Sequence, residues 1–132
     1  MTDERFEELV AEAFELIPQQ FREAMRNVAL VIEDEPSPEL LADLGMAPPE
    51  TLYGLYQGIS LVEREWGQSV ELPDQVIIFR DPILEDAEDE DDVVRAVGET
   101  VIHEFGHHFG LSEEEIDEAE AIWAEETFGD QR

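Results

Sequence analysis

The chain has 132 residues, no cysteine, and 36 acidic residues against seven basic ones, for a formal net charge of −29. That length suits one ordinary domain with a modest core, so residues 1–132 are expected to form a single domain. The missing cysteines exclude disulfides and thiolate metal sites, and the charge opposes nucleic acid and anionic membranes, which bind through positive patches.

Such a surface attracts cations and metal ions and repels its own copies, which predicts a monomer. The opening residues MTDERFEELV carry charge from position 3 and contain no apolar leader. No apolar run approaches the length of a membrane span, so the expected location is the cytoplasm.

In chain order, Phe6, Leu9, Val10, Ala13 and Phe14 recur at three- and four-residue steps and predict a helix over residues 3–16. Pro18 suits the first turn of a short second helix ending near Arg26. The apolar, β-branched run VALVI at 28–32 reads as a buried strand. In SPELLADLG, Ser37 is a candidate N-cap, Pro38 takes the first helical position and Gly45 ends the helix. LYGLYQGISL at 52–61 alternates and reads as a strand, with glycines that suggest a bulge or a close approach by another backbone. Residues 62–74 read as a loop, QVIIF at 75–79 as a second buried strand, and Pro82 as the opening of a short helical segment.

EDAEDEDD at 85–92 puts seven acids in eight positions just before a helix. Negative charge there meets the positive end of the helix dipole, and the run lacks the spacing and glycine of a calcium loop. A central helix is expected from Asp92 to Phe109, closed by Gly110. A last helix is expected from Glu113 to Phe128, with Ser112 and Glu115 as a capping box.

All three histidines of the chain lie in TVIHEFGHHFGLSEEE, residues 100–115. His103-Glu104-x-x-His107 is the H-E-x-x-H pattern. On a helix, positions four apart lie about 40° apart around the axis, so both imidazoles reach one metal ion while Glu104 flanks the same face. Val94, Val97, Val101 and Phe105 form the opposite, core-facing stripe, with Ile102 and Phe109 at its edge. His103 and His107 point about 200° away from Val101 and Phe105 by the same arithmetic. His108 falls toward the stripe and reads as a packed or hydrogen-bonded histidine. A catalytic zinc usually takes three protein ligands. Gly110 ends the helix, so the chain turns back and Glu113 approaches the same ion. Glu114 and Asp117 are the alternatives at that third place.

The stretch resembles the zincin metallopeptidases and their metzincin pattern H-E-x-x-H-x-x-G-x-x-(H or D). His103, Glu104, His107 and Gly110 match it, Glu113 departs from it, and no methionine follows the motif, because the last one is Met46. The chain is more closely similar to a small bacterial family of predicted "minimal zincin" metallopeptidases, through LYGLYQG, LPDQVIIFRDPI and HEFGHHFG. That resemblance implies an α+β fold: a small mixed sheet of about three to four strands packed against helices, with the motif helix across it.

The expected activity is that of a zinc-dependent peptidase, with one Zn2+ per chain held by His103, His107 and Glu113. Glu104 would be the general base. The substrate is expected to be a peptide or protein lying along the edge of LYGLYQGIS. Tyr53 and Tyr56 are candidate substrate contacts and, with Arg80, candidate oxyanion stabilisers. Two other readings compete: a non-enzymatic metal-binding or interaction domain, and a metal-dependent endoribonuclease, which the acidity disfavours. Peptide deformylase shares H-E-x-x-H but takes a cysteine ligand, absent here.

Overall fold

The computed structural model describes residues 1–47, 50–57, 62–63, 69–70 and 74–129. Helix α1 (Asp3–Leu16) buries Phe6, Leu9, Val10 and Ala13 and is capped by the Thr2 side chain, which accepts from the Arg5 N–H. Helix α2 (Gln19–Ala24) follows, with Pro18 at the N-cap position, one residue outside the first turn where the sequence put it. Helix α3 (Pro38–Asp43) is capped by Ser37 as expected, and Gly45 beyond its end takes φ +75°.

Strands β1 (Ala29–Glu33), β2 (Gly54–Gln57) and β5 (Gln75–Phe79) form one mixed sheet in the order β1-β5-β2. β1 runs parallel to β5 from Ala29↔Gln75 to Glu33↔Phe79, and β2 runs antiparallel to it from Gly54↔Ile78 to Gln57↔Gln75. β5 is the buried centre: Val76, Ile77, Ile78 and Phe79 are all buried. VALVI departs from the expectation of a buried strand. Among the described residues β1 pairs on one side only, and each of its residues is half-buried or exposed. The expected 52–61 strand forms over Gly54–Gln57, and its last four residues lie outside the described ones. The expected 62–74 loop contains two short paired strands, β3 (Val62–Glu63) and β4 (Ser69–Val70).

Helix α4 (Arg80–Asp86) starts directly from β5, two residues before Pro82. The acidic run then caps helix α5 (Glu90–His108). Asp89 accepts from the Asp92 N–H at 2.9 Å, and Asp92 accepts from the Glu88 N–H at 2.8 Å. Part of the run thus satisfies helix-end donors that would otherwise lack partners. α5 buries Val93, Val94, Val97, Val101, Ile102 and Phe105 against α1, β5 and their neighbours. Phe109 does not join this stripe. The helix ends at His108, Gly110 turns at φ +78°, and Phe109 is left 56% exposed.

Helix α6 (Glu113–Phe128) has the expected bounds and the Ser112/Glu115 capping box. It packs antiparallel to α5, since Gly106 faces Ile116 while Gly98 faces Trp123. A Cβ on Gly98 would come within 2.1 Å of the Trp123 ring, so only glycine allows this approach. The Trp123 Nε1–H donates to the Leu16 carbonyl at 2.9 Å and ties α6 to the end of α1. On the other side of α5, Gly54 does the same for β2, where a Cβ would lie 2.7 Å from Thr100 Cγ2. Among the described residues, no helix is long and apolar enough to cross a membrane.

Candidate metal centre and active site

His103 and His107 lie one helical turn apart on α5, on the side away from its buried stripe. Their Nε2 atoms are 3.1 Å apart, and His107 Nε2 is 2.8 Å from Glu113 Oε2. One donor atom from each of His103, His107 and Glu113 lies within 4.8 Å of the others. Four ligands at zinc bond lengths of about 2.0–2.1 Å would be separated by about 3.3 Å around a tetrahedron. Two imidazole nitrogens and a carboxylate oxygen are suitable zinc donors, so the residues fit the ion. Glu114 and Asp117, the alternatives for the third place, are exposed and stand outside this group. Glu113 reaches it because Gly110 reverses the chain and Ser112 starts α6 immediately afterwards.

Glu104 projects on the other side of His103. Its Oε1 accepts a hydrogen bond from the Tyr56 backbone N–H on β2 at 3.1 Å. Among the described residues β2 is an edge strand, and the Tyr53 carbonyl just before it points inward, accepting from the Phe79 N–H at 2.8 Å. The Tyr56 N–H points outward, so the outer edge of β2 is turned toward the Glu104 carboxylate.

A cleft of about 710 Å³ opens beside this pair and reaches from Thr51–Gly54 and α4 to His103, Glu104 and Glu120. Among the described residues its walls carry Asp86, Asp92 and Glu99 against one arginine, Arg95. Burial pushes the Glu99 carboxyl above the usual range, helped by the charge of Glu120 and opposed by Arg95. The His103 imidazole is held above its ordinary value. Burial alone would lower it, but the hydrogen bond and charge of Glu120, with the charges of Glu113 and Glu104, outweigh that effect.

The other residues singled out in the sequence have mixed fates. Tyr53 lines the cleft and its hydroxyl donates to Asp86. The Tyr56 hydroxyl donates to Asp74 at 2.8 Å, and its ring stacks on His108 at 4.1 Å. His108 thus makes the ring contact expected of it but stays exposed instead of joining the buried stripe, and its Nε2 faces Asp74 at 3.6 Å. Arg80 is engaged with Asp3, Asp34 and Asp81, away from the cleft. Sequence reasoning missed Glu120, whose Oε2 lies 3.0 Å from His103 Nδ1. The available signal was its spacing of seven from Glu113, two turns along one helix face.

The profile of the zincin-like metallopeptidase family matches residues 25–123, and the chain belongs to that family. A solved conserved hypothetical protein from Thermus thermophilus is similar to it, with 26% identity, a TM-score of 0.57, and coverage of 82% of this chain and 94% of that one. No curated protein matches the sequence. Family membership implies a metal ion, typically zinc, and a peptidase-like character.

Proposed function

We propose that residues 1–132 form one zincin-like domain acting as a zinc-dependent peptidase, a cytoplasmic monomer whose substrate is a peptide or protein. The observation that carries this reading is the convergence of His103, His107 and Glu113 beside Glu104, with His103 and Glu104 also lining a cleft that Gly54 of β2 borders. His103, His107 and Glu113 would hold the ion. When bound, zinc supplies Lewis-acid polarisation of the scissile carbonyl and acidifies a water.

The remaining steps fall to the chain itself. An extended peptide lies along the outer edge of β2 and pairs with the outward groups that Glu104 leaves open, at Gly54 and the Tyr56 carbonyl, which sets its backbone alongside Glu104. Glu104 takes a proton from the attacking water, whose oxygen bonds to the carbonyl carbon. As the C–N bond breaks, Glu104 passes that proton to the departing amine. The Tyr56 N–H fixes where the carboxylate waits. The acidic cleft walls favour peptides carrying arginine or lysine beside the scissile bond.

Metal content of the purified, untagged protein beside a His103→Ala control is the first test, followed by a peptide-library screen. About one zinc per chain, absent from the control, supports the metal reading. Glu104→Gln should keep the zinc and lower hydrolysis by about 10²–10⁴-fold. Wild-type activity in that variant would remove Glu104 from the mechanism. Zinc without hydrolysis of any peptide would leave a metal-binding domain.

A further inference from the structure

We infer that Glu120 is a positioning residue of the metal centre, holding His103 through Nδ1 so that its Nε2 is presented to the ion. The inference rests on the reading of His103, His107 and Glu113 as ligands.

The two nitrogens of the His103 ring have separate partners. Nδ1 lies 3.0 Å from Glu120 Oε2, and Nε2 lies 3.1 Å from His107 Nε2 in the ligand group. An ionised carboxylate only accepts, so the ring nitrogen facing it carries the proton. In a neutral imidazole the other nitrogen then keeps its lone pair, which is the form a metal ligand needs. Glu120 cannot itself be a third ligand while it addresses Nδ1, because that atom points away from the ligand group.

The fold builds this contact from helix geometry. Glu113 and Glu120 are seven residues apart on α6, so they share one face about 10 Å apart along the axis. α5 runs antiparallel alongside, and its glycines at 98 and 106 bring α6 close. One face of α6 therefore delivers two carboxylates, Glu113 to the ligand group and Glu120 to the far side of His103. The Glu120 side chain is 22% exposed against 38% for His103, so the supporting group is more sheltered than the ligand it supports. His107 has no such carboxylate on Nδ1 among the described residues. His103 is the braced ligand and His107 the free one.

The experiment measures zinc affinity by competition with a chromophoric chelator, for wild type, Glu120→Ala, Glu120→Gln and the exposed control Glu118→Ala. The tautomer of neutral His103 in the metal-free protein is read by long-range ¹H–¹⁵N correlation. Glu120→Ala should bind zinc about 10–100-fold more weakly and shift His103 from Nδ1–H toward Nε2–H. Glu120→Gln keeps an acceptor without the charge and should fall between, and it carries the test if the alanine variant fails to fold. Glu118→Ala should match wild type. Equal affinities with an unchanged tautomer would overturn the inference while leaving the peptidase reading intact. A wild type that takes up no zinc would overturn both.

Discussion

Two walls flank the motif helix, and they are built from different material. α6 contributes side chains: Glu113 in the ligand group, Glu120 behind His103. β2 contributes main chain: the Tyr56 N–H against Glu104. Each wall is admitted by glycine, at 98 and 106 toward α6 and at 54 within β2. On the proposed reading α6 serves the metal ligands and β2 the base, and substitutions on each side should separate the two functions.

The largest effect is expected at Gly98→Ala. Alanine gains about 1 kcal/mol of helix propensity over glycine. The new Cβ, however, lies 2.1 Å from a Trp123 ring that is 1% exposed and tied by its Nε1–H to Leu16. Overpacking of this kind costs about 1–3 kcal/mol or more. The melting temperature should fall, and zinc affinity should fall with it, because both α6 carboxylates move away together.

Gly54→Ala should act on the other wall. Its Cβ would meet Thr100 Cγ2 at 2.7 Å and the Ile77 carbonyl oxygen at 2.8 Å. Backbone cannot yield as a side chain can, so β2 shifts. Zinc affinity should hold while hydrolysis drops, by about 100-fold for a displacement near 1 Å. Chelator competition and peptide assays on the same preparation check the split. Loss of zinc in this variant would break the division between the walls.

A smaller change is expected from Ser112→Ala, which removes half of the capping box of α6. Loss of a cap costs about 1 kcal/mol, readable in urea unfolding. The effect on zinc should be modest, because Gly98 and Trp123 still seat the helix. Smallest of all is a pH effect confined to the β2 wall, where both tyrosines of the chain lie. Tyr53 is pushed up to about 12 by its hydrogen bond to Asp86, with burial and the charge of Asp86 adding to it. Tyr56 is raised by burial first, then by its bond to Asp74. A phenol raised in the folded state adds stability below its unfolded value near 10, and that stability is lost as the pH climbs through the folded value. The phenolate absorbance midpoint should lie higher in the folded protein than in urea. A coincident midpoint would show that neither tyrosine anchors β2.

Much of the α6 wall was legible in the sequence, because its signals are local. Ser112 and Glu115 fix where the helix starts, Gly110 fixes the turn, and together they carry Glu113 to the histidines. Glu120 was legible only as a residue sharing a helix face with Glu113, not as a partner of His103. Its contact with a residue 17 positions earlier depends on the antiparallel register of two helices, which no local pattern encodes. The β2 wall was only partly readable. Alternation marked the strand, but the bond from a backbone N–H to Glu104 spans 48 positions and leaves no trace in residue type. VALVI misled for a related reason: an apolar run reports composition, while burial depends on how many neighbours the sheet supplies. Phe109 belonged to the apolar period but fell past the last helical residue.

The bond from Tyr56 to Glu104 has a genetic consequence. The donor is a peptide group, so a missense change at position 56 leaves it in place for every amino acid but one. Proline alone lacks the hydrogen, and no single-nucleotide change converts a tyrosine codon into a proline codon. The group that aims Glu104 is therefore shielded from one-step mutation at its own position, while Glu104 itself is one base away from glutamine.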